Sequence, residues 1–198
     1  SGPGAVRFHF FNNDGQRAAM CGNAALCATR IAAHFELAPF DGMVLETDAG
    51  RYQTRCLSGP GEGAELVLGA VDWPSRPAVS LAGQERDAHL VQVGVPHLVV
   101  VVDDLKHLAL LERGRALRFD PALGSAGANV NFVARQGSDG WAMRTYERGV
   151  EGETLACGTG AVACATVLVA LGRSKLPIEL WTASGCLLRV AGDAQDAK

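Results

Sequence analysis

Apolar spacing along the chain switches twice from strand-like alternation to a helical repeat, and those switches mark the elements. Val6 to Phe11 is β-rich and runs into a turn at Asn12-Asn13-Asp14-Gly15. After Cys21 the pattern becomes helical: Ala24, Ala25, Leu26, Ala28, Ile31 and Ala32 share an apolar face, and the helix is predicted to end near Glu36, before Pro39. Strands are predicted at Met43–Thr47, Tyr52–Leu57 and Ala64–Leu68, with a loop over Gly59 to Gly63. The proline-bearing stretch Trp73 to Ala82 reads as a linker between lobes. Further strands follow at His89–Val93, Leu98–Val102 and Asn129–Arg135. From Trp141 to Glu147, Ala142, Arg144 and Tyr146 alternate with Met143, Thr145 and Glu147. A second helix is predicted after Cys157, with Ala161–Leu171 as its body and Gly172 as its stop. Ile178–Thr182 and Cys186–Val190 read as a closing hairpin.

These elements make an α/β protein of two pseudo-symmetric lobes, 1–75 and 76–198, with the last strands expected to pack back on the first lobe. The two helix starts repeat one another. One reads Cys21-Gly22-Asn23-Ala24-Ala25 and then Cys27-Ala28-Thr29; the other reads Cys157-Gly158-Thr159-Gly160-Ala161 and then Cys164-Ala165-Thr166.

Composition narrows the function classes. The chain has 198 residues, a net charge of −3 and 20% charged residues. That balance argues against a nucleic-acid partner or an anionic membrane, which call for basic patches. The apolar runs are strand-length, well short of the ~20 residues that span a bilayer. No charged-then-apolar leader is visible, so a cytoplasmic location is expected. Six cysteines are present, without C-x-x-C, and reduced thiols fit better than a disulfide framework or a zinc knuckle. No Gly-Lys-Ser/Thr follows the glycines after Cys157, and no G-x-G-x-x-G follows a strand, so a nucleotide site has little support.

The chemistry therefore rests on the two repeated cysteines. A helix N-terminus offers N–H groups and a partial positive charge, which favour thiolate and bind a carboxylate. Gly22 and Gly158 allow close approach to the backbone, and Asn23 and Thr159 add short polar groups. Two such starts facing each other would hold an α-amino carboxylate between two thiols. One thiol would remove the α-proton and the other would return a proton from the opposite side, with no cofactor and no metal. Cys27, Cys164, Cys56 and Cys186 read as structural. His97 could instead serve as base for a cysteine hydrolase, a reading that leaves the second Cys-Gly copy unexplained. Arg148 could hold a second carboxylate, or belong to a solvated charged loop.

The residues resemble a known family. Asn12-Asn13-Asp14-Gly15 with Met20-Cys21-Gly22-Asn23, and Tyr146-Glu147-Arg148-Gly149 with Glu153-Thr154-Leu155-Ala156-Cys157-Gly158-Thr159-Gly160-Ala161, are similar to the two active-site segments of diaminopimelate epimerases. Gly94-Val95-Pro96-His97 and Asn129-Val130-Asn131-Phe132 fall between them in the family's order. The resemblance implies two lobes, each a mostly antiparallel sheet wrapped around a central helix. It implies Cys21 and Cys157 as the acid/base pair. Gly22, Asn23, Gly158 and Thr159 would hold the reacting carboxylate, Asn12, Asn129 and Arg148 the distal group, and Glu147 the amino group, with His97 auxiliary. The activity implied is conversion of L,L- to meso-diaminopimelate, for lysine and peptidoglycan synthesis, and a homodimer is expected. Three departures stand out. The family's opening Gly-Asn-Asp-Phe-like segment has no counterpart, so a first lobe with unpaired strand edges is expected. Val95 replaces an asparagine of the family. Ala24 and Leu26 replace a glycine and an arginine. The alternatives are a racemase of another amino acid, or a non-catalytic binding relative.

Overall fold

A computed structural model describes residues 4–11, 15–58, 63–137 and 140–192. The chain divides into two compact units, Ser1–Gly69 and Ala70–Lys198, a boundary six residues before the one read from the linker composition.

The first unit contains β1 (Ala5–Arg7), β2 (Phe10–Phe11), β3 (Arg17–Ala18), α1 (Gly22–His34), β4 (Met43–Thr47), β5 (Gly50–Cys56) and β6 (Ala64–Leu66). Its main sheet runs β1-β4-β5-β6, with β1 parallel to β4 and the other pairs antiparallel; β2 and β3 form a separate ribbon. The β4–β5 turn is tied by Thr47, whose Oγ1 accepts from the Ala49 N–H and donates to the Gly50 carbonyl. Helix α1 buries Ala25, Thr29 and Ala32, a stripe at i, i+4 and i+7, against a core that includes Met43 and Leu45. Small residues on that stripe let the helix lie close to the sheet. Cys27, expected in the core, is exposed instead, because it falls on the helix face opposite the stripe.

The second unit contains β7 (Glu85–Val93), β8 (Val95–Val102), α2 (Leu110–Arg118), a 3-10 turn at Pro121–Leu123, β9 (Asn129–Gln136), β10 (Gly140–Glu147), β11 (Gly152–Thr154), α3 (Gly158–Ala170), β12 (Ile178–Trp181) and β13 (Leu187–Val190). Its sheet is ordered β13-β12-β10-β9-β8-β7, and β11 also pairs with β10. The β8–β9 and β10–β12 pairs are parallel and the rest antiparallel. The closing hairpin joins this sheet: after α3 crosses the sheet, β12 returns parallel to β10. Cys186, read as part of a strand, lies in the exposed turn before β13.

Helices cover both faces of this sheet. Leu98, Val100, Val130, Phe132 and Tyr146 pack with Leu110 and Leu117 of α2. The alternating positions on β8 to β10 face the other way, toward α3. Both sides of β8 and β9 are therefore buried, which explains the unbroken apolar run Leu98–Val102 of β8. A fully buried leucine or phenylalanine of this core contributes roughly 1.5–3 kcal/mol of transfer free energy. Helix α3 is apolar on most of its circumference, as a helix enclosed by its sheet must be. Among the described residues, no helix is long and apolar enough to cross a membrane.

Candidate active site

Cys21 and Cys157 occupy equivalent places in their own units. Cys21 is the N-cap of α1, with φ −138° and ψ 121°; Cys157 is the N-cap of α3, with φ −139° and ψ 107°. Each carbonyl opens its helix, accepting from Ala25 N–H and from Ala161 N–H respectively, both at 2.9 Å. An extended N-cap followed by helix turns the first N–H groups outward. Gly22 and Gly158, and Asn23 and Thr159, occupy the first two helical positions in the two copies. Among the described residues nothing lies within 4 Å of where a Cβ on Gly22 would sit, so the backbone there is open to a ligand. Asn12 lies outside the described residues.

The surroundings of the sulfurs differ. Cys21 is half-buried, and its side chain makes no capping hydrogen bond. Cys157 is 8% exposed, and its Sγ accepts the Gly160 N–H at 3.3 Å and lies 3.6 Å from Thr159 Oγ1. Hydrogen bonds to sulfur and a helix N-terminus both favour thiolate over thiol. Met143, Thr145, Thr154 and Thr182 line a shallow depression beside it. Two turns along α3, burial pushes the Cys164 thiol up, and the neighbouring Cys157 adds to that, so Cys164 stays protonated.

Beneath the Cys157 turn runs a buried polar chain across three strands. His97 on β8, Asn131 on β9 and Thr145 on β10 are each at most 2% exposed. Asn131 Nδ2 lies 3.1 Å from His97 Nδ1, and Thr145 Oγ1 donates to Asn131 Oδ1 at 3.0 Å. Burial, and secondarily the charge of Arg148, push the His97 pKa down to about 4, so the ring is neutral near pH 7. With Nδ1 accepting from Asn131, the proton resides on Nε2, which has no hydrogen-bond partner among the described residues. His97 is therefore not set as a base for Cys157, and the cysteine-hydrolase reading loses its histidine. Asn131, Thr145 and Gly160 were not among the residues the sequence singled out for the site. Asn131 and Gly160 stand inside the motifs that carry the resemblance, and Thr145 only in the alternation from Trp141 to Glu147.

The charged segment after β10 is an ordered turn rather than a solvated loop. Asn129 Oδ1 accepts the Arg148 N–H at 2.8 Å, fastening the turn to β9. Glu151, at φ 54°, accepts the Gly149 N–H through Oε1 and lies 3.3 Å from Arg118 Nε of α2. Neither Glu147 nor Arg148 forms a salt bridge among the described residues. Glu147 ends β10 and Arg148 follows it, a carboxylate and a guanidinium of the kinds that bind an ammonium and a carboxylate. No group of three or more His, Cys, Asp or Glu among the described residues is arranged to hold a metal ion.

The fold is that of the two-unit α/β proteins with a helix at the centre of each sheet, and a cysteine opens that helix in both units here. It is shared with a probable proline racemase from Agrobacterium radiobacter K84, at a TM-score of 0.70 and 18% identity, over 96% of this chain and 64% of that one. The Diaminopimelate epimerase family profile matches residues 89–195. The diaminopimelate epimerase of Gemmatimonas aurantiaca is 42% identical over 169 residues, covering 85% of this chain and 60% of that protein. That of Aquifex aeolicus is 39% identical over 186 residues, covering 93% and 66%. The chain belongs to the diaminopimelate epimerase family. It spans 60 to 66% of the length of these two relatives.

Proposed function

We propose that this protein is an amino-acid epimerase in which Cys21 and Cys157 act as paired acid and base on one substrate α-carbon, converting L,L-diaminopimelate to the meso form. The observation that carries this reading is the pair of equivalent helix starts, each opening on a cysteine in the same extended conformation. One sulfur, as thiolate, takes the α-proton and becomes a thiol. The electron pair left on the carbon is delocalised into the α-carboxylate, whose charge the first-turn N–H groups at Gly22, Asn23, Gly158 and Thr159 stabilise. The other thiol then donates its proton from the opposite face and is left as thiolate. The stereocentre has inverted and no external acid or base is consumed.

In this reading Arg148 takes the distal carboxylate, Asn12 is assigned to the same distal group, and Glu147 takes the ammonium. Asn129 contributes through the Arg148 backbone that it holds, and His97 acts as a neutral dipole. The reaction is placed in the cytoplasm, where thiols stay reduced.

A second reading, racemisation of a different amino acid, is favoured by Val95. This half-buried side chain opens β8 with an apolar surface and no hydrogen-bonding group. Incubating the purified natural protein in D2O with L,L-diaminopimelate and a panel of amino acids separates the two. Deuterium at one α-carbon of diaminopimelate supports the first reading, and exchange only in other amino acids supports the second. No exchange from correctly folded protein leaves a non-catalytic binding protein and overturns both. Cys21→Ser and Cys157→Ser should each abolish inversion at least a hundredfold, the usual scale for a general acid or base. Undiminished inversion in either would rule out the two-thiol mechanism.

A further inference from the structure

We infer that Asn131 is a positioning residue that wedges the first turn of α3 from below and thereby holds the Gly160 N–H on the Cys157 sulfur. Its consequence for turnover rests on the proposed acid/base role of Cys157. Its effect on the sulfur itself does not.

The argument is one of contact in series. A Cβ built on Gly160 would lie 2.3 Å from Asn131 Oδ1 and 3.1 Å from Cys157 Sγ. The amide oxygen therefore fills the space beneath the Gly160 α-carbon, and the sulfur lies just beyond. The Gly160 N–H donates to that sulfur at 3.3 Å. The Asn131 amide cannot turn away, because it is fixed from both flanking strands. Thr145 Oγ1 donates to its Oδ1 from β10, and His97 Nδ1 meets its Nδ2 from β8. All three side chains are buried, so no water can replace a lost partner without the site opening. Removing either the wedge or the hydroxyl that orients it frees the first turn to shift. The N–H···S bond lengthens, thiolate loses a donor, and the pH at which Cys157 ionises rises.

The ionisable groups on this side of the sheet are few. His97 lies on β8. The charge of Arg148, just after β10, reaches His97, and on β7 Asp87 lies 3.2 Å from His89 and 3.0 Å from Arg76. By strand alternation Arg135 of β9 and Glu147 of β10 share the face, and Cys164 lies within α3 itself. Neither Asn131 nor Thr145 is ionisable, so changing them alters no charge around the sulfur.

The test is the pH profile of Cys157 alkylation by iodoacetamide, followed by peptide mass mapping in the reduced, full chain. Asn131→Ala, Thr145→Val and Thr145→Ser are compared with the parent, and Cys21 in the same samples serves as the internal reference. Asn131→Ala and Thr145→Val should move the Cys157 midpoint up by about one pH unit, roughly a tenfold loss of thiolate near neutrality. Thr145→Ser should restore it, and the Cys21 midpoint should stay in place. An unmoved Cys157 midpoint in folded Thr145→Val overturns the inference, whatever becomes of Asn131→Ala. So does an equal shift at Cys21, which marks a global loosening. Alkylation needs no turnover. A moved midpoint in a protein without α-proton exchange keeps this inference and removes the epimerase reading, and the converse result separates them the other way.

Discussion

Alanine at Gly160 puts a single methyl group into a crowded spot of the second unit. The added carbon would lie 2.3 Å from Asn131 Oδ1, where ordinary contact begins at 3.4 Å, so the amide must retreat by roughly 1 Å. Asn131 is fully buried, and both ends of its amide are engaged. Overpacking of this kind costs about 1–3 kcal/mol, and breaking one of the two amide hydrogen bonds adds about 1 kcal/mol. Alanine recovers about 1 kcal/mol of helix propensity over glycine. The net expectation is a loss of about 2 kcal/mol from the second unit. Urea unfolding followed by tryptophan fluorescence reads it directly, since the described fold of that unit contains the buried Trp141. Gly22→Ala is the control: it stands at the equivalent end of α1 with nothing among the described residues within 4 Å, and should cost nothing. If Gly160→Ala proves as stable as the parent, Asn131 is not wedged against the turn and the contact series fails.

Three further expectations follow from the same coordinates. The unfolded His97 imidazole takes its proton near 6.5 and the buried one only at about 4. Stability should therefore fall as the pH drops through that window, by about 3 kcal/mol in all, and level off below it. His97→Gln should flatten that part of the profile in acid titration of the unfolding free energy, and an unchanged slope would contradict a neutral buried ring. Gly114→Ala in α2 would bring a methyl within 2.6 Å of the Tyr146 ring; a loss of at least 1 kcal/mol is expected by thermal melting, and a stabilised variant would refute the close approach. Glu85→Ala strips Arg113 of a two-pronged partner whose carboxylate side chain is 1% exposed. About 3 kcal/mol should be lost in chemical denaturation, whereas a loss under 0.5 kcal/mol would mean that water replaces the pair.

The two cysteine helices were legible because each announces itself locally: a cysteine and glycine open a run of small apolar residues. Strands β8 to β10 were legible from β-branched runs and alternation. Helix α2 was not. It spans nine residues, begins at Ala109 without a side-chain cap and carries Gly114 in its middle. Its buried positions Leu110, Gly114, Leu117 and Arg118 do keep helical spacing, but glycine and arginine there look like loop residues until Tyr146 and Glu151 are seen packed against them. Strand β11 was hidden for a related reason. Its three residues sit in a charged segment, and only pairing with β10 makes them a strand. Within the candidate site, the sequence marked the groups proposed to meet a ligand. It gave no role to Asn131 and Gly160, which stand only inside the motifs of the resemblance, or to Thr145, because their relation is adjacency across three strands and a helix, which no linear spacing encodes.

The clasp on the Glu147–Arg148 turn has a consequence for kinetics. Asn129 holds one end through the Arg148 N–H, and Glu151 ties the other to Gly149 and α2. The backbone of this turn is thus in place before any ligand arrives. On the proposed reading, in which Arg148 and Glu147 hold the substrate, capture has only the side chains left to order, at about 0.5–1.5 kcal/mol each. Association should then run at the pace of encounter, and affinity should be set by how slowly the guanidinium lets go.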